Sequence, residues 1–177
     1  IENNKLSLDD KFIKFIPDFI RGDEITIKHL LTMTSGIPDH TEFPDFDKER
    51  RVYHFTVSQT IETFKNMPLE FNPGEKFKYS NSNYILLGFI IEQISNTTYA
   101  EYIEQNIFEP LKMDNSGFKN PQDIIDSMAQ GYCLRNNQIE NAKFRVMSNA
   151  HASGALYSTI NDLYKWDRAL YTNKLVG

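Results

Sequence analysis

Residues 79–91, Tyr-Ser-Asn-Ser-Asn-Tyr-Ile-Leu-Leu-Gly-Phe-Ile-Ile, constrain this chain more than any other stretch. Pro73-Gly74 ahead of them is turn chemistry, and a short extended piece follows. The spacing then predicts a helix over residues 82–95 that is apolar on nearly all sides. Such a helix is buried all round, so the rest of the chain must supply walls for it. Tyr79 and Asn81 fall where the loop meets the helix N-terminus. Backbone N–H groups point outward there and favour negative charge. A phenol so placed is a candidate general base. Two plainer readings stand beside that one. Tyr79 is a packed aromatic, and Ser80 is the N-cap whose hydroxyl satisfies an orphan N–H.

The remaining pattern supplies mostly short helices. Ser7 with Asp10 predicts a helix closed by Pro17, and Thr26 predicts a second through Met33 that ends near Gly36. Residues 39–57 are charged and aromatic without clear period and read as mostly loop. Thr56 or Ser58 starts a helix to Asn66. Thr98-Tyr99-Ala100-Glu101 is a capping box for a helix ending near Phe108, before Pro110. Pro121 starts a short helix through Met128. Tyr132–Arg135 and Gln138–Phe144 pair as a hairpin around Asn136-Asn137. Thr159 with Asp162 opens a helix through Tyr171, with Leu163, Trp166 and Leu170 at core spacing. The expected fold class is mainly α with a small β-hairpin, and residues 1–177 are expected to form one domain.

Bulk properties narrow the function. Hydrophobic residues make up 40% of the chain and aromatic residues 13%, which suits a packed globule. A formal charge of −5 with scattered Lys and Arg argues against a nucleic-acid partner. The longest apolar stretch, residues 84–91, is far too short to span a membrane. Cys133 is the single cysteine, so no intramolecular disulfide exists, and a small apolar packing residue is the simplest reading of it. His29, His40, His54 and His151 show no triad spacing and read as surface or packing residues. No His, Cys and carboxylate cluster has metal-ligand spacing, so no metal or cofactor is expected.

An ordered set of segments goes further. Phe71-Asn72-Pro73-Gly74, Tyr79-Ser80-Asn81, Tyr84-Ile85-Leu86-Leu87-Gly88 and Ile107-Phe108-Glu109-Pro110-Leu111-Lys112-Met113 resemble the serine β-lactamase and penicillin-binding-protein family, in its class C-like and D,D-peptidase-like branch. Residues 25–38 resemble that family's helix and turn ahead of the active-site loop. Ser153-Gly154-Ala155-Leu156-Tyr157-Ser158-Thr159 with Asp162-Leu163 resembles its glycine-rich segment. The resemblance covers nearly the whole chain in the right order. It implies the helical domain of a β-lactamase/transpeptidase-like fold, which forms one wall of a cleft against a separate α/β domain.

The resemblance also implies the chemistry. Family members work with a Ser-x-x-Lys box, a Tyr-x-Asn box and a Lys/His-x-Gly strand, and only the second is present here. The chain is therefore expected to be the middle of a longer protein and inactive alone. Ser116-Gly117-Phe118-Lys119 fits Ser-x-x-Lys as text, but Gly117 and Asn120-Pro121 predict a loop, so Ser116 receives no role. By resemblance, Tyr79 is the general base and Asn81 a catalytic partner that binds the substrate amide and the lysine. Ser153 and Gly154 are substrate-binding; Gly154 has an equal reading as a turn residue ahead of Thr159. Ala155 stands where relatives carry a second glycine, and Met33 where they often carry histidine. The implied substrates are a β-lactam, a D-Ala-D-Ala peptide or an ester. The other implied partner is the α/β portion of the same protein, with self-association through the face it would cover. The implied location is the bacterial cell envelope or outside the cell. A non-catalytic relative that binds cell-wall peptide, or serves as an interaction module, is the alternative.

Overall fold

The structure, a computed structural model, describes residues 1, 4–44, 46 and 52–175. Part of the loop predicted over residues 39–57 therefore lies outside the described residues. Helices dominate, in the order α1 (Ile27–Leu31), α2 (Val57–Glu62), α3 (Asn81–Ser95), α4 (Tyr99–Ile103), α5 (Glu109–Leu111) and α6 (Ile160–Ala169). A π-helical turn, Glu104–Phe108, joins α4 to α5.

Four threonines start helices as the sequence predicts. Thr26, Thr56, Thr98 and Thr159 each accept the backbone N–H three residues on. In the first three the partner side chain, His29, Gln59 or Glu101, returns a bond to the cap backbone. Asn96 (φ 59°) and Lys112 (φ 56°) end α3 and α5 in the left-handed conformation that stops a helix.

The strands form two antiparallel pairs. β2 (Tyr132–Arg135) and β3 (Gln138–Asn141) make the expected hairpin, with Leu134 opposite Ile139. Asn136 and Asn137 have φ of 47° and 60°, as the primed turn requires. β1 (Gly117–Phe118) and β4 (Leu156–Tyr157) form a second ladder that sequence spacing does not reveal.

α3 is apolar on most sides because it lies between two cores. Ile85, Leu86 and Ile90 pack with Phe12, Phe19, Ile25, Leu30 and Phe64. Ile91, on another face, packs against the cluster of Tyr99, Ile103, Phe108, Leu111, Met113 and Ala169.

Several expectations are corrected. The helix predicted from Ser7 shrinks to a single 3-10 turn, Phe12–Lys14. Its amides are committed elsewhere: Phe12 N–H donates to Ile25 C=O at 2.8 Å and Ile13 N–H to Gly22 C=O at 3.0 Å. Residues 121–128 form turns without a helix; Ile124 is fully exposed and Ser127 is left-handed, so no apolar face holds a helix down. α6 ends at Ala169, short of Tyr171, and its inward face is not the predicted one. Asp162 and Ala169 are buried and Trp166 half-buried, while Leu163 and Leu170 are exposed. Ser116–Lys119 is a strand entry rather than a plain loop.

Asp162 explains the rotation of α6. Its carboxylate accepts Asn115 N–H at 2.8 Å and the Ser116 hydroxyl at 3.0 Å, and Lys165 lies at 2.8 Å. These bonds replace the second half of the capping box predicted with Thr159. Ser116 Oγ is also 2.7 Å from Ser158 Oγ, so this serine ties α6 to the β1 entry and has no free hydroxyl to act as a nucleophile. Burial pushes the Asp162 carboxyl up, but Lys165 and the two donors hold it below the ordinary carboxylate value.

Candidate active site

The first residues of α3 are polar, and each fastens the helix to the loop over residues 35–41. Asn83 Oδ1 accepts the buried Ser35 hydroxyl at 2.5 Å. Ser82 Oγ accepts His40 N–H at 3.0 Å and donates to Pro38 C=O at 2.8 Å. Asn81 Nδ2 donates to Asp39 Oδ2 at 2.8 Å. The buried Asp39 carboxylate is held in place because Oδ1 takes Thr41 N–H at 2.9 Å.

That arrangement fixes which way the Asn81 amide points. A carboxylate only accepts, so the Asn81 NH2 must face Asp39. The Asn81 oxygen is then turned toward Tyr79, whose hydroxyl donates to it at 3.2 Å. This bond uses the neutral phenol. Tyr79 is 56% exposed and stands ready for groups from outside this region.

Ser80 occupies the N-cap position with β backbone (φ −153°, ψ 118°), but its hydroxyl makes no cap bond. Its Oγ is buried without a hydrogen-bond partner, so the expected capping role is not what this side chain does. The polar work at this helix end falls to Asn81, Ser82 and Asn83 instead.

Ser153 and Gly154 come to the same place from far along the chain. A 3-10 segment, Met147–Ser153, crosses α3. Asn149 anchors its start through Phe55 N–H (2.8 Å) and Tyr53 C=O (2.6 Å), and Ser148 Oγ lies 3.1 Å from His54 Nδ1. A cavity of about 290 Å³ is lined by Met33, Tyr79, Asn81, Tyr84, Ala152 and Ser153. A neighbouring cavity of about 240 Å³ has Asn81, Ser153 and Gly154 in its wall together with His40 and Arg145. Asn81 and Ser153 line both. A larger hollow of about 630 Å³, lined by residues between Lys119 and Met147, shares Arg145 and Met147 with the second cavity but touches none of Tyr79, Asn81, Ser153 and Gly154.

All four predicted site residues are thus gathered around one pair of cavities. Gly154 has extended φ (171°), and a Cβ there would meet Ala150 Cβ at an ordinary 3.7 Å. Neither a close approach nor a forced turn obliges glycine at that position. Ser153 Oγ donates to Ala150 C=O at 2.6 Å. Ala155, where relatives carry a second glycine, is buried.

Two residues at this site, Asp39 and Met33, are not among the predicted ones, and His151 packs nearby. Asp39 orients Asn81; the Asx-type bond to Thr41 was the only local signal for it. Met33 lines the Tyr79 cavity from a left-handed backbone (φ 54°), held there by Lys78 N–H donating to its C=O at 3.0 Å. His151, read as surface or packing, is a part-buried partner of Glu92 at 3.0 Å. Burial pushes the Glu92 carboxyl up, but the His151 ring and Tyr99 N–H hold it below the ordinary value. Among the described residues no group of three His, Cys, Asp or Glu side chains forms a metal site, and no helix is long and apolar enough to cross a membrane.

The Beta-lactamase family model matches residues 1–176. The chain is similar to the putative penicillin-binding protein PbpX of Bacillus subtilis (strain 168), 31% identical over 174 residues, covering 98% of this chain and 42% of the relative. It is also similar to a putative D-alanyl-D-alanine carboxypeptidase of Escherichia coli (strain K12), 34% identical over 146 residues, covering 74% of this chain and 33% of the relative. Among solved structures, the D-stereospecific amidohydrolase from a Streptomyces species superposes with a TM-score of 0.86 at 27% identity, covering 99% of this chain and 56% of that one.

The fold is β-lactamase-like. The chain belongs to the β-lactamase family, among relatives that include penicillin-binding proteins and D-alanyl-D-alanine carboxypeptidases. It spans less than half the length of those two relatives.

Proposed function

We propose that this chain is the helical region of a longer serine hydrolase that acts by acyl transfer. The observation that carries the reading is the Tyr79–Asn81–Asp39 chain of hydrogen bonds, whose middle residue, Asn81, lines two cavities together with Ser153. In this reading the Ser-x-x-Lys and Lys/His-x-Gly boxes lie on an α/β portion outside residues 1–177. That portion packs against the exposed apolar side of α6.

The reaction then runs in two stages. The serine oxygen bonds to the substrate carbonyl carbon, and its proton passes to Tyr79, with the lysine supplying the charge that makes a phenolate accessible. A free phenol has a pKa near about 10, so that cation is required. The C–N or C–O bond breaks, Tyr79 returns the proton to the leaving group, and water later releases the acyl group from the serine. Asn81 holds the substrate's amide while Asp39 holds Asn81. The substrate is a D-Ala-D-Ala peptide, a β-lactam or an ester, and the site of action is the bacterial cell envelope or the space outside it. The names and folds of the relatives support this class of substrate.

The coding sequence upstream of Ile1 tests the reading. A Ser-x-x-Lys at the start of a helix, a short distance before Lys5-Leu6-Ser7, is the expected result. A complete gene without it would leave the second reading, a non-catalytic relative whose cleft binds cell-wall peptide.

A further inference from the structure

The segment that carries Ser153 lies on α3 more closely than side chains ordinarily permit. A Cβ added at Gly88 would stand 2.5 Å from Ala152 Cβ and 2.6 Å from the His151 ring. Only a glycine at the centre of α3 allows that approach. The segment also bends sharply there. His151 has φ 42° and ψ −130°, a conformation that is strained for an L-residue and persists only where surroundings enforce it.

The surroundings that enforce it are specific. The His151 Nε2–H donates to Glu92 Oε1 at 3.0 Å, since a carboxylate accepts only. Glu92 is itself fixed, because Oε1 also takes Tyr99 N–H at 2.9 Å. The imidazole packs against Tyr99, with ring centres 5.1 Å apart, and against Phe118 at 6.3 Å. Nδ1 is buried without a hydrogen-bond partner, on the side that faces Gly88. Two residues later the chain delivers Ser153 to the wall it shares with Asn81.

We propose that His151 is a positioning residue: clamped to Glu92 against the bare backbone of Gly88, it sets the chain direction that places Ser153 beside Asn81 in the cleft. Its value to catalysis rests on the acyl-transfer reading above; its value to the geometry does not. The clamp spans α3, α4 and the 147–153 segment, so it ties the Tyr-x-Asn helix to the opposite lip of the site. Glu92 sits three turns along the same helix that begins at Asn81, and so the two anchors share one rigid element.

The test compares three variants of the full-length protein with wild type. His151→Gln keeps an N–H donor within reach of Glu92. His151→Gly relieves the left-handed backbone but removes the clamp. Gly88→Ala drives a methyl into the segment. Two quantities are read: amide hydrogen exchange over residues 149–155, and the acylation rate with a fluorescent penicillin. The expected result is faster exchange in His151→Gly and Gly88→Ala, with acylation lowered by about a hundredfold, and recovery toward wild type in His151→Gln. Thermal stability of His151→Gly is expected to stay near wild type, which separates positioning from general unfolding. Unchanged exchange and acylation in His151→Gly would overturn the proposal. If wild-type protein is not acylated while exchange follows the expected order, the positioning stands and the acyl-transfer reading falls.

Discussion

Asp39 and Asn81 are 42 residues apart in sequence, yet the Asp39 carboxylate accepts the Asn81 side-chain N–H at 2.8 Å. That one bond decides which face of the amide meets Tyr79. Replacing Asp39 with leucine removes the close acceptor and leaves the part-buried Asn81 NH2 with only the long bond to Thr41 Oγ1 at 3.4 Å. We expect acylation by the full-length protein to fall about tenfold to a hundredfold, with a loss of stability on the order of 1–3 kcal/mol from the orphaned donors. Stopped-flow acylation and urea unfolding measure the two effects separately. Wild-type acylation in Asp39→Leu would remove Asp39 from the site.

Asp162 is a structural counterpart away from the cleft. It is fully buried and gathers Asn115 N–H, the Ser116 hydroxyl and Lys165. Asp162→Ala leaves Asn115 N–H without its acceptor and takes one partner each from Ser116, which keeps Ser158, and Lys165, which keeps Lys112 C=O; a loss of about 3 kcal/mol is expected in denaturant unfolding. Ser116→Ala removes only one donor and should cost about 1 kcal/mol. A larger effect from Ser116 than from Asp162 would contradict this assignment.

His29 makes stability pH-dependent in a defined direction. Burial, Lys11 and Lys28 all hold its pKa below the ordinary 6.5. Its Nδ1 accepts Thr26 N–H in the capping box, a bond that protonation abolishes. The folded value is depressed, so the unfolded chain binds more protons in the interval between the two values. The contribution is therefore complete above the unfolded value and is lost as pH falls through the folded one. Unfolding free energies measured between pH 8 and pH 5 should decline on the acid side, and His29→Gln should flatten that decline. An identical slope in the variant would place the effect elsewhere.

The apolar side of α6 bears on what covers it. Ile160, Leu163, Tyr164, Leu170 and Tyr171 are all exposed. Residues 1–177 expressed alone should associate as concentration rises, and Leu163→Glu with Leu170→Glu should reduce that association. Sedimentation velocity distinguishes the cases. A strictly monomeric chain at high concentration would argue against a docking face.

Much of this architecture is legible in the sequence where a short-range rule governs it. The four threonine caps, the Asn136-Asn137 hairpin and the all-round apolar helix follow from local pattern, and each is present. The failures come where tertiary partners claim the same groups. Ser7 and Asp10 form a reciprocal cap in text, but the amides of Phe12 and Ile13 bond to residues 22–25 and only one 3-10 turn remains. Asp162 looks like the third residue of a capping box, yet its carboxylate is spent on Asn115 and Ser116, and this turns Leu163 and Leu170 outward. At the site, Tyr79, Asn81, Ser153 and Gly154 were readable from resemblance. Asp39 and His151 were not, because their meaning lies in contacts 42 and 59 residues distant.

The most direct measurement is the intact mass of the full-length protein after exposure to benzylpenicillin, for wild type, Tyr79→Phe and Asn81→Ala. A covalent adduct is expected in wild type, with its loss or strong slowing in both variants and circular dichroism unchanged. Equal adduct formation in wild type and Tyr79→Phe would contradict the assignment of Tyr79 as the proton-transferring group of this site.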